Sequence, residues 1–265
     1  MINNFNLNKN LEIAIKASVE AGKKIVKIYN KDFSFKIKSD LSPITAADMA
    51  ANEIIKSYLL KTNIPIISEE NLIPDYPIRK KWRKFWLVDP LDGTKEFINK
   101  NGEFTVNISL IQKQTPVIGV VYVPVTKELY FAEAGVGSFK FENIIDFRDI
   151  VLSERINLRT SNSPEIFTIV ASRSHLNDQT LAFLEQKKVD KQKVEIKQFG
   201  SSLKICKVAE RKANCYPRLG PTMEWDTAAA HAIALYSGRN IFQYNSSNPI
   251  IYNKESLINP FFIVE

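Results

Sequence analysis

Trp86-Leu87-Val88-Asp89-Pro90-Leu91-Asp92-Gly93-Thr94 reads as a buried strand that runs into a tight acidic turn. Asp and Pro suit the end of a strand, and Gly93 lets the backbone turn sharply. Two carboxylates forced close together repel, so one resists ionising unless a cation lies between them. A bound hard metal is the simplest reason to keep both.

Working outward, the chain before this turn reads as a helix over residues 11–29, with Ile15, Val19, Gly22, Val26 and Tyr29 recurring at helical spacing. Residues 39–43 read as a loop. Thr45 opens a second helix over 46–60, and residues 64–67 form a short strand that ends at Ser68-Glu69-Glu70. Residues 71–81 read as a Pro-containing loop and 85–88 as the buried strand of the turn. Beyond the turn, residues 104–111, 116–123 and 128–132 run or alternate like an antiparallel meander, with 135–141 as a further hairpin piece. A polar stretch over 143–163 marks a candidate boundary. After it, strands (166–171, 194–198, 213–216, 241–244) alternate with helices (178–187, 203–211, 227–237). The expected fold class is α/β (α+β), with an α+β half over 1–150 that carries most metal ligands and an α/β half over 151–265.

The composition excludes several functions. The chain has 265 residues, 45% hydrophobic and 25% charged, enough for a large core. No apolar run approaches the ~20 residues of a membrane span, and the N-terminus lacks a signal-peptide core. The expected location is cytoplasmic, with peripheral association at the inner face of the membrane as the variant. Two histidines, His175 and His231, argue against a zinc site or a His-based hydrolase. Two cysteines, Cys206 and Cys215, read as reduced, half-buried packing residues. Metal chemistry must then use oxygen ligands, which suits magnesium, manganese or calcium. The net charge of +7 is scattered over lysines in no nucleic-acid module, so no nucleic-acid partner is expected. It would instead help steer a polyanionic small molecule.

Asp48, Glu69-Glu70, Asp89/Asp92 and Asp226 all fall at element ends. Any one alone reads as a solvated end or a cap; Asp226 would be the N-cap of the last helix. Together they would gather on one edge of a sheet, where open α/β sheets place ligands. Glu69, Asp89 and Asp92 would give oxygens to one or two cations, with the Leu91 carbonyl as an extra ligand. Asp226 would close a second site, bridged by Asp89, to clamp a phosphate ester. Thr94 would position a water, with Asp48 orienting Thr94 and accepting the proton. Gly93-Thr94 and Gly200-Ser201-Ser202 precede helices and resemble anion cradles. Ser172-Arg173-Ser174-His175 follows a strand and is placed to reach a second phosphate or a base.

Ser68-Glu69-Glu70, the Asp89-to-Thr94 motif and Trp225-Asp226 resemble the inositol-monophosphatase-like superfamily of magnesium-dependent, lithium-inhibited phosphatases. Within it the chain is most similar to the bacterial branch that cleaves adenosine 3′,5′-bisphosphate. The similarity extends through Asn101-Gly-Glu-Phe-Thr-Val-Asn107, Gly200-Ser-Ser-Leu-Lys204 and Tyr216-Pro-Arg-Leu-Gly-Pro-Thr-Met-Glu-Trp-Asp-Thr-Ala228. The resemblance implies a layered αβαβα sandwich and release of the 3′-phosphate to give AMP, within sulfur metabolism. It implies a first Mg²⁺ site of Glu69, Asp89 and the Leu91 carbonyl, and a second of Asp89, Asp92 and Asp226. It makes Asp48 and Thr94 the water-activating pair and sets Glu70 behind the ligands. Glu69, Leu91, Asp92, Gly93, Thr94, Ser174, His175, Ser201, Lys204 and Asp226 become the substrate contacts. Arg211, Ala230 and Arg239 stand where relatives commonly carry glycine. An inositol- or sugar-phosphate phosphatase of the same superfamily, and a non-catalytic nucleotide-binding protein, are the alternative readings. Sequence leaves monomer and homodimer open.

Overall fold

The computed structural model describes residues 7–31, 34–37, 43–160, 162, 164–173, 177–191 and 193–265. Helix α1 (Lys9–Tyr29) starts where the Asn8 side chain accepts from the Asn10 N–H at 2.9 Å. Leu11, Ala14, Ile15, Ser18, Val19, Gly22 and Ile25 recur every three or four residues and form its buried face. A short hairpin, β1 (Phe35–Ile37) and β2 (Pro43–Thr45), leads into α2 (Ala46–Leu59). Of the loop expected over 39–43, only Pro43 lies among the described residues.

The antiparallel meander expected beyond the turn is built, with its strands buried on both faces. Strand β3 (Ile66–Ser68) pairs parallel with β4 (Lys84–Asp92), and the loop between them holds the one-turn helix α3 (Tyr76–Arg79). After β4 comes α4 (Thr94–Ile98). Then β5 (Thr105–Gln112), β6 (Thr115–Val123), β7 (Glu128–Glu133), β8 (Gly137–Phe141) and β9 (Ile156–Asn157) continue antiparallel, giving the sheet order β3-β4-β5-β6-β7-β8-β9.

The second half alternates. Strand β10 (Phe167–Ser172), α5 (Asp178–Asp190), β11 (Val194–Phe199), α6 (Leu203–Ala209), β12 (Tyr216–Arg218), α7 (Glu224–Tyr236), β13 (Ile241–Gln243) and β14 (Phe262–Val264) follow in order. β10 and β11 pair parallel, and β12, β14 and β13 pair antiparallel. A bridge from Ile169 to Cys215 joins the two groups into one strip.

Two apolar clusters cover the two faces of the seven-stranded sheet. One joins α1 and α2 to Trp86, Val106, Ile108 and Phe131. The other joins α6 and α7 to Phe85, Leu87, Val121 and Tyr130. The layers therefore run helix, sheet, helix, strip, with α5 packed outside β12. Helix α7 crosses β6 so closely that a Cβ on Gly119 would overlap the Ala229 carbonyl oxygen and stand 2.6 Å from the Ala232 Cβ.

Several sequence expectations shift, among them the strand expected over 213–216, which lies at Tyr216–Arg218. The buried strand continues through Asp92 instead of stopping at Val88. Helix α7 starts at Glu224, three residues before the expected 227, so Asp226 is not its N-cap. Its carboxylate instead reaches back to the Met223 N–H at 2.8 Å from the third helical position. Cys206 and Cys215 are free and buried, not half-buried; Cys206 lies in the core cluster that joins α6 and α7 to the sheet, and Cys215 bridges to Ile169.

Candidate active site

The turn that ends β4 owes its shape to Pro90. Proline has no N–H to give the ladder, so the pairing with β5 slips between Asp89↔Asn107 and Asp92↔Thr105. The Leu91 N–H closes the slip by donating to Asp89 Oδ1 at 3.1 Å. Gly93 then takes φ +93°, a conformation costly for residues with a side chain, and Thr94 opens α4. The Thr94 hydroxyl donates to Asp48 Oδ1 at 3.1 Å and lies 3.4 Å from the Leu91 carbonyl.

Asp48 is 2% exposed and sits three residues into α2, in a capping box. Its Oδ2 accepts from the Thr45 N–H at 2.7 Å and the Thr45 hydroxyl at 2.6 Å. The Asp48–Thr94 pair expected from sequence is therefore in contact, across 46 residues of chain.

Glu69 at the end of β3, Asp89 on β4 and Asp226 on α7 bring one carboxylate oxygen each within 4.8 Å of one another. Asp92 stands beside this triad, where its Oδ2 accepts from the Ser202 N–H at 2.6 Å and the Asn107 side-chain amide at 3.3 Å. The arrangement is electrostatically expensive. Burial first, then repulsion from Glu69, Asp92, Asp226 and Asp48, raises Asp89 well above the usual carboxylate range. Burial and Asp92 raise Asp226 likewise, opposed by the Met223 N–H. Burial lifts Asp92 to about 6 against the pull of Lys204 and the Ser202 N–H. Burial lifts Asp48 as well, against the Thr45 bonds.

These groups adjoin a cavity of about 480 Å³. Glu69, Asp92, Gly93, Thr94, Ser201, Lys204 and Asp226 line it, as expected. Asp48, Asp89 and Leu91 sit just behind the lining. Glu70 is half-buried next to Glu69 and does not line the cavity. Ser174 and His175, the remaining expected contacts, lie outside the described residues. The Gly200-Ser201-Ser202 cradle is partly committed: its Gly200 and Ser202 N–H groups donate to Glu103 at 2.7 Å and Asp92 at 2.6 Å. The Ser201 hydroxyl is left buried without a partner.

Cations face the acids. Lys204 is 6% exposed, and its ammonium donates to the Ser201 carbonyl at 2.6 Å. Burial lowers it to about 8, opposed by Asp92 and reinforced by Arg218. Arg218 also lines the cavity, donates to the Pro221 carbonyl at 2.9 Å and keeps its Nε buried without a partner. Sequence reading gave Arg218 and Asn107 no role, and it cast Ser202 as part of an anion cradle, whereas its N–H is committed to Asp92. With the strand ended at 216, Arg218 fell outside it; the true bounds, Tyr216–Arg218, set Tyr216 and Arg218 on one face.

The donor set fits a hard divalent cation: buried, converging carboxylate oxygens with too little positive charge among the described residues to balance them. Residues 6–260 match the inositol monophosphatase family. This chain belongs to that family. It is 43% identical to the 3′(2′),5′-bisphosphate nucleotidase CysQ of Salmonella typhimurium over 258 residues, 96% of this chain and 98% of that protein. It is 42% identical to the CysQ of Escherichia coli K12 over 249 residues, 92% of this chain and 94% of that one. The crystal structure of CysQ from Bacteroides thetaiotaomicron superposes with a TM-score of 0.90 at 46% identity, covering 99% of this chain and 98% of that chain. An inositol monophosphatase of Thermotoga maritima, 22% identical, shares the fold with a TM-score of 0.75 over 97% of this chain and 92% of that one. The layered sandwich expected from sequence is thus the family fold. Inositol monophosphatase family enzymes are metal-dependent phosphatases, in keeping with the acidic cluster.

Proposed function

We propose that this chain is a 3′(2′),5′-bisphosphate nucleotidase that removes the 3′-phosphate of adenosine 3′,5′-bisphosphate, giving AMP and phosphate. The observation that carries the reading is the convergence of Glu69, Asp89 and Asp226 beside the Asp48–Thr94 pair, in a cavity whose other wall is cationic. The likeness to the CysQ nucleotidases supports the choice of substrate.

Glu69, Asp89, Asp226, Asp92 and the Leu91 carbonyl are the residues that would hold Mg²⁺. The bound cation supplies positive charge to the phosphoryl oxygens and makes a water acidic enough to lose a proton near neutral pH. The chain's own groups do the rest. Asp48 Oδ2 is fixed by Thr45, so Oδ1 remains to accept the Thr94 hydroxyl proton. Thr94 Oγ1 in turn takes a proton from the attacking water. The new P–O bond forms from that water, the P–O3′ bond breaks, and the released 3′-oxygen takes a proton from solvent. Lys204, Arg218, Gly93 and the Ser201 hydroxyl bind the phosphates, with Ser174 and His175 kept as further contacts from the sequence reading. Glu70 supports Glu69 from behind.

No helix among the described residues is long and apolar enough to cross a membrane. Two unpaired thiols suit a reducing compartment, so the reading places the reaction in the cytoplasm. Lithium inhibition and a place in sulfur metabolism belong to the same proposal.

The test is phosphate release from adenosine 3′,5′-bisphosphate with and without Mg²⁺, set against inositol 1-phosphate. A kcat/KM higher for the nucleotide, and abolished by chelation, is expected. Folded protein that prefers inositol phosphate, or releases nothing, overturns the reading.

A further inference from the structure

One helical turn beyond Lys204 on α6, Lys207 faces a second cavity, of about 520 Å³, which shares no lining residue with the first. Lys197 and Phe199, two apart on β11, form one wall; Lys207, Arg211 and Lys212 form the other, Asn162 and Pro164 close the rim, and no carboxylate lines it among the described residues. Lys207 Nζ lies 5.9 Å from the centre of the Phe199 ring.

Part of this charge is internally balanced. Lys197 pairs with Glu195 at 3.2 Å, Lys212 and Lys207 pair with Glu210 at 3.0 and 3.5 Å, and Lys207 also donates to the Tyr130 hydroxyl at 2.9 Å and lies 3.9 Å from Glu128. Arg211 is not balanced. Among the described residues no carboxylate lies within ion-pair distance of it, and its Nε is buried without a partner. Its backbone holds φ +60°, where glycine or asparagine is the easier residue. Its guanidinium lies 4.0 Å from where a Cβ on Gly238 would stand, next in chain to Arg239, whose Nε is also buried without a partner. Arg239 is disfavoured as a cation first by burial and then by Arg211, and Glu265 opposes both. Of the four cations that wall the cavity, Arg211 is therefore the one without a carboxylate partner among the described residues.

We propose that this cavity is a second anion site, which takes a small phosphorylated molecule. Lys197, Lys207, Arg211 and Lys212 would share the phosphate charge, and Phe199 would cover the carbon skeleton. Its volume falls in the usual range for small-molecule sites, about 300–1,000 Å³.

The two cavities are separable because the first, without a divalent cation, presents carboxylates that repel an anion. Calorimetric titration with inorganic pyrophosphate in metal-free, EDTA-containing buffer reads the second. One site is expected, weakened at least ~5-fold by Arg211→Gly and by Lys197→Met, and unchanged by Lys204→Met. Arg211→Gly suits the positive φ, so loss of fold does not confuse the result; a melting curve confirms it. Absence of binding in the parent protein, equal affinity in both cavity variants, or loss of binding in Lys204→Met overturns the proposal.

Discussion

The sharpest prediction concerns the Asp48–Thr94 contact. Two donor groups from Thr45 converge on Asp48 Oδ2, at 2.7 and 2.6 Å, while the Thr94 hydroxyl donates to Oδ1 at 3.1 Å. A carboxylate accepts on both sides; an amide accepts on one only. In Asp48→Asn the amide oxygen either keeps the Thr45 cap or keeps Thr94, never both. Loss of the cap costs about 1 kcal/mol, a few degrees in Tm for a chain of this size. Loss of the proton acceptor lowers kcat by roughly 10²–10⁴. Thr94→Val removes the hydroxyl without changing the shape and should fall in the same range, whereas Thr94→Ser keeps the hydroxyl and should stay within about tenfold of the parent. Because the pair works as a unit, the double variant Asp48→Asn/Thr94→Val should be no slower than the slower single variant. The assay is phosphate release from adenosine 3′,5′-bisphosphate at saturating Mg²⁺, with melting curves beside it. Parent-like kcat in Thr94→Val, or losses that multiply in the double variant, refutes the relay.

Three further outcomes follow from the geometry. Without metal, Asp89→Asn removes one charge from a buried cluster of like charges, so it should melt higher than the parent in EDTA, and it should lose the rise in Tm that Mg²⁺ gives the parent; a lower Tm in EDTA counts against the repulsion described here. Burial lowers His231 from 6.5 to about 4, so unfolded chains bind its proton first as pH falls through that window, and folding stability drops by about 3 kcal/mol from this group. Urea denaturation of parent and His231→Gln between pH 7 and pH 4 reads the difference, and identical pH dependence in the two would contradict it. Gly119→Ala forces a methyl group into the Ala229 carbonyl and should cost about 1–3 kcal/mol or more by urea denaturation, with little effect on KM if the protein is folded.

The parts of this molecule that were legible in sequence are those set by neighbours along the chain. The Asp89-to-Thr94 turn, the Thr45 cap and the meander of β5 to β8 follow from local chemistry: a missing N–H at Pro90, a hydroxyl before a helix, strand-length apolar runs. What was not legible depends on partners far away in sequence. Asp92 is fixed by the N–H of Ser202, 110 residues later, and no local pattern announces that bond. Gly200 looked like a phosphate cradle because its role as donor to Glu103 is visible only once β5 and α6 meet. The start of α7 was misplaced for a related reason. Trp225 and Glu224 look like loop residues before a capping Asp, but Glu224 is fully buried, and its carboxylate takes the backbone N–H groups of Asn253 (2.5 Å) and Lys254 (3.0 Å).

One device recurs around the acidic cluster. Asp48 is tied by the Thr45 N–H, Asp89 by Leu91, Asp92 by Ser202 and Asp226 by Met223, each through a backbone donor. Two of these ties are capping bonds from the third position of a helix, and one closes the Pro90 slip. Each bond fixes the plane of a carboxylate and commits one oxygen, leaving its other oxygen uncommitted by that bond. The ties are too weak to cancel burial and repulsion, since Asp89 and Asp226 still stand well above the ordinary carboxylate range. The backbone thus supplies orientation but not neutralisation, and that division is what a cation-binding site requires: ligands held in place before the ion arrives, with the charge left for the ion to balance. A purely structural cluster would have been expected to do the opposite and pair each acid with a lysine or arginine, as Glu210 does elsewhere in this chain, where Lys140, Lys207 and Lys212 bring it down to about 2.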